Sequence, residues 1–440
     1  MTSTPLTTAA ADPTSSCSGC ADDRRARLLS RRTLLKGGAG AAATFAVSEH
    51  LTARYAAAAA PTGADTLVVM FLRGGFDGLS AVVPAADPAY YALRPGIGIP
   101  QASLLPLDSR FGLHPALAAL KPFWDNGTFG VVHAAGLTNP NRSHFAAMEE
   151  IENAAPGSSI RTGWLDRTLA LDSTAPASAP FKGTTIGGRA PRSTAGPQPD
   201  LTMRSLQDFS LSGTSTAQER ATWTTALTAL HSGATSAVAD PARSTLNALS
   251  SVATLAAETY LPGGGAVYPD TDLGRAFRDA AHLIRSPHQV DVLTIDEGDW
   301  DMHAGLGTVG AGWMHDKLTE LGATLAAFAT DLGPTMDRVT VVTMSEFGRR
   351  TAENASGGVD HGWGNAMLLL GGGVAGGVVH GDFRGLDTTQ LTEGDVTATT
   401  DFRWVLADLL VNRCGATLDE ARAVFPGWNG ARLGVSRPRG

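Results

Sequence analysis

The sequence predicts an α/β fold in which a mostly parallel central sheet is flanked by helices. Three observations predict it. Short apolar runs rich in β-branched residues, Thr66–Leu72, Val290–Ile295 and Val339–Met344, each break off into glycines and carboxylates. That is the pattern of buried parallel strands delivering side chains to the carboxyl edge of a sheet. Helical stretches such as Met314–Leu332 lie between strand-like runs. Finally, 440 residues with 43% hydrophobic and 17% charged content can bury a large core, as two domains or one elaborated α/β domain.

Ser30-Arg31-Arg32-Thr33-Leu34-Leu35-Lys36 leads into the small-residue apolar stretch Gly37–Val47 and the alanine run Ala56–Ala60 before Pro61. A paired arginine, a weakly hydrophobic segment and an alanine cleavage site mark a twin-arginine export signal. The segment is too short for a membrane span, which needs ~20 apolar residues. The expected division is a signal over 1–60 and one α/β domain over 61–440. The mature protein is expected to be periplasmic or secreted, to cross folded through the twin-arginine export machinery, and to carry no stable membrane span. Cys17 and Cys20 leave with the signal, Cys414 is then a lone thiol, and the fold stands without disulfides. Net charge is −8, or −11 once the +3 of residues 1–60 is removed, so no nucleic-acid partner is expected.

The first strand, Thr66–Leu72, runs into Arg73-Gly74-Gly75-Phe76-Asp77-Gly78. Glycines let backbone approach closely, which puts Asp77 at the sheet edge, either as a site residue or as the cap of a tight turn. His114–Asp125 has helical spacing, bent at Pro122, and Thr128–Ala134 reads as the next strand. After Thr138-Asn139-Pro140-Asn141-Arg142-Ser143-His144-Phe145 comes the helical run Ala146–Asn153. Ser143 falls at the helix start, where it can cap the first turn or, activated by a metal, serve as a nucleophile facing an oxyanion.

Residues 155–235 are rich in Ser, Thr, Pro and Gly and read as loops, short strands and helices, and the stretch of about 155–260 as an insertion or cap over the sheet edge. Within them Gln218–Leu230 and Pro241–Ala257 are expected helices, the second capped by Asp240. Thr271–Arg285 is a further expected helix.

Directly after Val290–Ile295 come Asp296-Glu297-Gly298-Asp299-Trp300-Asp301-Met302-His303. Such a density of carboxylates with a histidine at a strand end points to a metal, held by His303 with either Asp299 or Asp301. Gly305–Gly310 matches a dinucleotide fingerprint, but no strand immediately precedes it, as that motif requires. Val339–Met344 ends in Ser345-Glu346-Phe347-Gly348-Arg349, and the following loop carries Asp360-His361-Gly362. Glu346, Asp360 and His361 are further candidate ligands for a divalent metal. Ala366–Leu370 and Val374–Val379 read as strands, and Phe402–Leu410 and Leu418–Val424 as closing helices.

The order Asp77, Ser143, an Asp-containing motif ending in His303, Glu346 and Asp360-His361 resembles the alkaline phosphatase and sulfatase superfamily. More closely, RGGFDGL (73–79), NPNRSHF (139–145), WDMH (300–303), SEFGR (345–349) and VDHGWGN (359–365) resemble an uncharacterised bacterial family of that superfamily, exported by the twin-arginine route. The resemblance implies an alkaline phosphatase/sulfatase-like α/β fold. It implies a metal ligand at Asp77, a nucleophile at Ser143 with Arg142 or His144 near the oxyanion, and one metal on His303 with Asp299 or Asp301. Glu346 stands where the superfamily has a strand-end Asp-His pair, and His361 where it has a late histidine.

The implied activity is metal-dependent hydrolysis of phosphate or sulfate esters, small or polymer-linked, using a serine or metal-bound water nucleophile and a divalent ion such as zinc, calcium or manganese. Because Ser345-Glu346 replaces the strand-end pair, a single metal is an open alternative. So is a non-catalytic envelope protein that binds or assembles with a partner and keeps the fold with a degenerate metal site.

Overall fold

The computed structural model describes residues 65–172, 179–235 and 238–439; the expected export signal, with Cys17 and Cys20, lies outside them. Strands β1 (Thr66–Leu72), β5 (Phe129–Gly136), β6 (Gly183–Ile186), β7 (Leu201–Met203), β8 (Val292–Glu297), β9 (Val339–Met344), β10 (Asn365–Leu370) and β11 (Val379–His380) form the main sheet. Their spatial order is β11-β5-β10-β9-β1-β8-β6-β7, with β14 (Thr400–Asp401) also against β5. Two small sheets sit apart: β2 (Val82–Val83), β3 (Leu105–Pro106) and β4 (Gly112–Leu113), and the hairpin β12 (Leu391–Thr392) with β13 (Asp395–Val396).

β1 pairs in parallel with β8 and β9, β6 with β7 and β8, and β11 and β14 with β5; β10 alone runs against its neighbours β5 and β9. The fold is therefore α/β with a mixed, mostly parallel sheet. Both faces of β1 are buried, which is why the run is apolar throughout: Val68, Met70 and Leu72 face one core, Leu67, Val69 and Phe71 the other. Helices Asp272–Arg285 and Trp313–Leu332 pack into the first core, and His144–Asn153, Phe402–Asn412 and Leu418–Val424 into the second.

Several expected elements differ. Residues 374–379 do not form a strand: Val374 makes a single bridge to Ser436, and only Val379–His380 joins the sheet. Gly376 lies so close to the backbone of Phe129 and Gly127 that a Cβ there would clash. Asp240 does not cap its helix, which begins at Ala239 after Val238; Asp240 lies in the first turn, paired with Arg243. Residues 155–260 supply β6 and β7 as well as the helices Ala217–His231 and Ala239–Ala257.

Two buried histidines, His133 and His114, are expected to make stability pH-dependent. His133 of β5 lies 5.3 Å from the Phe111 ring and 4.6 Å from the Phe383 ring, and burial pushes it down to about 4. Burial, with His315 nearby, pushes His114 down to about 4 as well. Each ring is neutral when folded and protonates more readily when unfolded. Their contribution is therefore full above pH ~6.5 and lost as pH falls toward 4, on the order of 3 kcal/mol per ring. Urea midpoints should fall between pH 7.5 and 5, and less so in His133→Phe; a midpoint that rises on acidification would contradict this.

Candidate metal centre

Chain segments meet at the edge of the sheet where β1, β8 and β9 end and β10 begins. Register fixes the meeting: Leu72 lies opposite Glu297, Phe71 opposite Met344, and Asn365 opposite Ala135 of β5. The turn after β1 must pass very close to the loop after β8. Gly74 has φ +118°, and a Cβ on it would sit 2.6 Å from the Asp301 nitrogen, so only glycine permits the approach. Arg349, fully buried, ties these loops together. It donates to the carbonyls of Gly74, Gly75, Trp300 and Val359, and to Asp301 Oδ1 at 2.6 Å.

Three histidines converge there. His144 opens the helix His144–Asn153 on the same stripe as buried Ala147 and Ile151, spaced i, i+3, i+7. His303 follows buried Trp300 and Met302, with Asp301 between them turned outward. His361 bridges Arg349 across a short antiparallel step, flanked by Gly362 N–H to Gly348 O at 2.8 Å. Buried Phe347 lies beneath His144 and His361, 4.8 Å from each ring.

The Nε2 atoms of His144 and His361 are 3.0 Å apart, and those of His303 and His361 2.9 Å. Asp301 Oδ1 lies 3.0 Å from His303 Nε2 and 3.6 Å from His361 Nε2, and its Oδ2 lies 3.6 Å from His144 Nε2. Every Nδ1 meets an oxygen instead: His144 the Glu346 carboxylate at 2.7 Å, His303 the Asp360 carboxylate at 2.9 Å, His361 the Arg142 carbonyl at 2.8 Å. A carbonyl can only accept, so His361 Nδ1 carries the proton. Glu346 already accepts from the Gly74 N–H at 2.9 Å and Asp360 from Asn354 at 3.0 Å, which assigns donor roles to the other two rings.

Neutral imidazoles so arranged aim bare lone pairs at one another, an arrangement that a cation relieves. Donor atoms ~2.0–2.1 Å from a tetrahedral cation stand about 3.3 Å apart, and the observed spacings bracket that value. His144, Asp301 and His361 offer ligand atoms all within 4.8 Å of one another, a grouping able to hold a metal ion. Oxygen acceptors behind ligating histidines are the usual outer partners of such sites.

Electrostatics agree. Burial acts to raise Asp301, but the Arg349 hydrogen bond and charge, with His303 and His144, outweigh it and hold the carboxyl below its ordinary range. Asp360 is lowered by its hydrogen bonds from His303 and Asn354. His361 is lowered by burial, against the Arg142 carbonyl, with His144, Arg349 and His303 adding to the fall. The centre opens to solvent on the side of Asp301 and His303, whose side chains are 48% and 44% exposed.

Of the candidates read from sequence, the structure brings together His144, Asp301, His303 and His361. Glu346 and Asp360 stand behind His144 and His303. Asp299 is exposed with φ +65°, outside the group. Asp77 is elsewhere engaged: its two oxygens take Arg94 at 2.6 and 3.0 Å in a buried pair. The Arg142 guanidinium pairs with Asp395 and Glu393, at 2.5 and 3.0 Å. Ser143 occupies the N-cap position, yet its side chain makes no capping bond. Sequence reasoning placed His144 near an oxyanion; in the structure it stands in the histidine group, and its place on the Ala147–Ile151 stripe was the available signal. Arg94 and Arg349 were missed as partners. Gly305–Gly310 follows β8 only after a loop.

Residues 127–404 match the model of a family described as "Protein of unknown function (DUF1501)". No curated protein matches the chain. Among solved structures, the chain is similar to the crystal structure of the C-terminal periplasmic domain of EcEptC from Escherichia coli, at 11% identity and a TM-score of 0.29, over 71% of this chain and 74% of that chain. Among the described residues, no helix is long and apolar enough to cross a membrane.

Proposed function

The chain belongs to the DUF1501 family of proteins of unknown function, and from that premise we propose that it is an exported hydrolase of phosphate or sulfate esters working with one divalent metal ion. The observation that carries this reading is the meeting of the His144, His303 and His361 Nε2 atoms beside Asp301, with every Nδ1 turned to an oxygen. Of the three ions, zinc suits imidazole-rich donors best, calcium and manganese favouring oxygen ligands. When bound, such an ion supplies Lewis acidity toward an ester oxygen and lowers the pKa of a nucleophilic hydroxyl.

The chain's own residues supply the rest. Ser143 precedes His144 and has its hydroxyl free of the capping role, which supports it as the nucleophile. The helix behind it has no side-chain cap, so its first-turn N–H groups and dipole favour the anionic part of an ester. Arg142 is engaged by Asp395 and Glu393, which leaves charge neutralisation to the ion and the backbone. Asp77 and Glu346 serve other partners, which supports one ion over two. The same fact favours the second reading, a non-catalytic envelope protein that binds one ion. The extracytoplasmic location rests on the Arg31-Arg32 signal.

The protein purified after export is expected to hold about one zinc or manganese per chain and to hydrolyse an arylphosphate or arylsulfate. Ser143→Ala should lower kcat by about 10³-fold or more while leaving metal content unchanged. Bound metal with no ester turnover would leave the binding-protein reading standing. No metal uptake from supplied zinc or manganese would remove both.

A further inference from the structure

His361 differs from its two companion histidines in what holds it. Glu346 and Asp360 grip His144 and His303 with carboxylates, whereas His361 Nδ1 donates to a backbone carbonyl, that of Arg142, at 2.8 Å. That carbonyl belongs to a segment whose preceding residues, Thr138, Asn139 and Pro140, are exposed. A carbonyl in an exposed loop is a poor anchor unless the loop is itself tied down. Asn141 makes two local ties, donating to Glu150 at 2.9 Å and accepting from the Ser143 N–H at 3.1 Å. A further tie runs through the Arg142 side chain to a separate part of the chain.

There the hairpin β12–β13 turns at Glu393 and Gly394, both at positive φ, +54° and +84°. Such a tight turn is conformationally fixed. From it Asp395, with a fully buried side chain, accepts from Arg142 Nε at 2.8 Å and Nη2 at 2.5 Å. Glu393 accepts from Arg142 Nη1 at 3.0 Å. The same hairpin holds the opposite side of the centre: Arg350 reaches the Glu393 carbonyl and lies 3.3 Å from Asp395 Oδ1, and Thr351 donates to the Gly394 carbonyl at 2.8 Å. Arg350 N–H in turn donates to the Asp360 carbonyl at 2.9 Å, beside His361. One small hairpin thus clasps both segments between which the His361 ring lies.

We propose that Asp395 is a positioning residue for the metal centre, which acts through the forked Arg142 guanidinium to fix the Arg142 carbonyl and so hold the His361 Nε2 lone pair toward the ion. The proposal rests on the metal-binding reading above, and its test separates the two. The probe is Co²⁺ added to the chelator-stripped full protein, read as affinity and as the exchangeable, paramagnetically shifted imidazole N–H signals in proton NMR. Wild type is expected to give one such signal for each of His144, His303 and His361.

Asp395→Asn should weaken Co²⁺ binding by about 10–100-fold, the usual effect of removing an outer partner. It should also abolish or speed the exchange of the His361 signal alone. A generally loosened fold would alter all of the signals. Arg142→Lys, at a half-exposed side chain that keeps its charge and loses its fork, should do the same. It decides the matter if Asp395→Asn fails to fold. Folded variants with wild-type affinity and an unchanged His361 signal would overturn the proposal. A wild type that binds no Co²⁺ would instead overturn the metal-binding reading.

Discussion

His361→Ala is expected to abolish metal binding in practice, with affinity falling by more than the 10–100-fold that an outer partner is worth. His361 Nε2 lies 3.0 Å from His144 and 2.9 Å from His303, so it is the donor that both others face. Removing it leaves one imidazole on each side and Asp301 already drawn to Arg349 at 2.6 Å. The metal-free proteins should behave in an unusual way. Facing lone pairs repel, so metal-free His361→Ala should unfold at a urea concentration equal to or above that of the metal-free wild type. Adding zinc should raise the midpoint of the wild type only, because an ion that binds only the folded state stabilises it by mass action. Isothermal titration and urea melts with and without zinc check both parts. A variant that retains wild-type zinc affinity would show that His361 is not a donor.

Asp77→Asn is expected to do the reverse: to cost stability and spare the metal. Burial acts to raise the Asp77 carboxyl, but the charge and hydrogen bonds of Arg94 outweigh it and hold it below its ordinary value. The Arg94 side chain is itself wholly buried. Removing one partner of such a pair strands the other, at about 3–5 kcal/mol. Arg94 also donates to the Thr351 carbonyl at 2.9 Å and the Arg350 carbonyl at 2.9 Å, so a disturbed Arg94 loosens the backbone just after Arg349. A large fall in the urea midpoint with zinc affinity changed only a few-fold is the expected result. Zinc affinity lost as completely as in His361→Ala would reinstate Asp77 as a ligand.

The strands carrying the site were legible because their chemistry is abrupt. Val339–Met344 and Val292–Glu297 pass from β-branched residues straight into acids, and a fully buried strand permits that only at its end. What could not be read was depth. Glu346 and His361 look alike as candidates in a linear chain, yet one lies behind an imidazole and the other faces the centre; both sit at a sheet edge, and periodicity does not separate them. Asp301 lies beside the histidines and Asp299 does not; residue 299 has a positive φ and is exposed, and no spacing rule encodes that. Arg94, the partner of Asp77, lies 17 residues away across two short helices and the strand β2, beyond the reach of local pattern. The reversal of β10 was likewise hidden, since an apolar run reads the same in either direction.

That reversal has a consequence for how the protein matures. Because β10 runs against β5 and β9, His361 reaches the sheet edge on the segment entering its strand, 217 residues after His144. The histidine group therefore closes only when β10 slots between β5 and β9, strands that precede it in the chain. Such long-range pairing is a slow event in folding. Ion uptake would then mark the end of folding rather than seed it, and the pool from which the ion is drawn is that of whichever compartment the chain occupies when β10 docks.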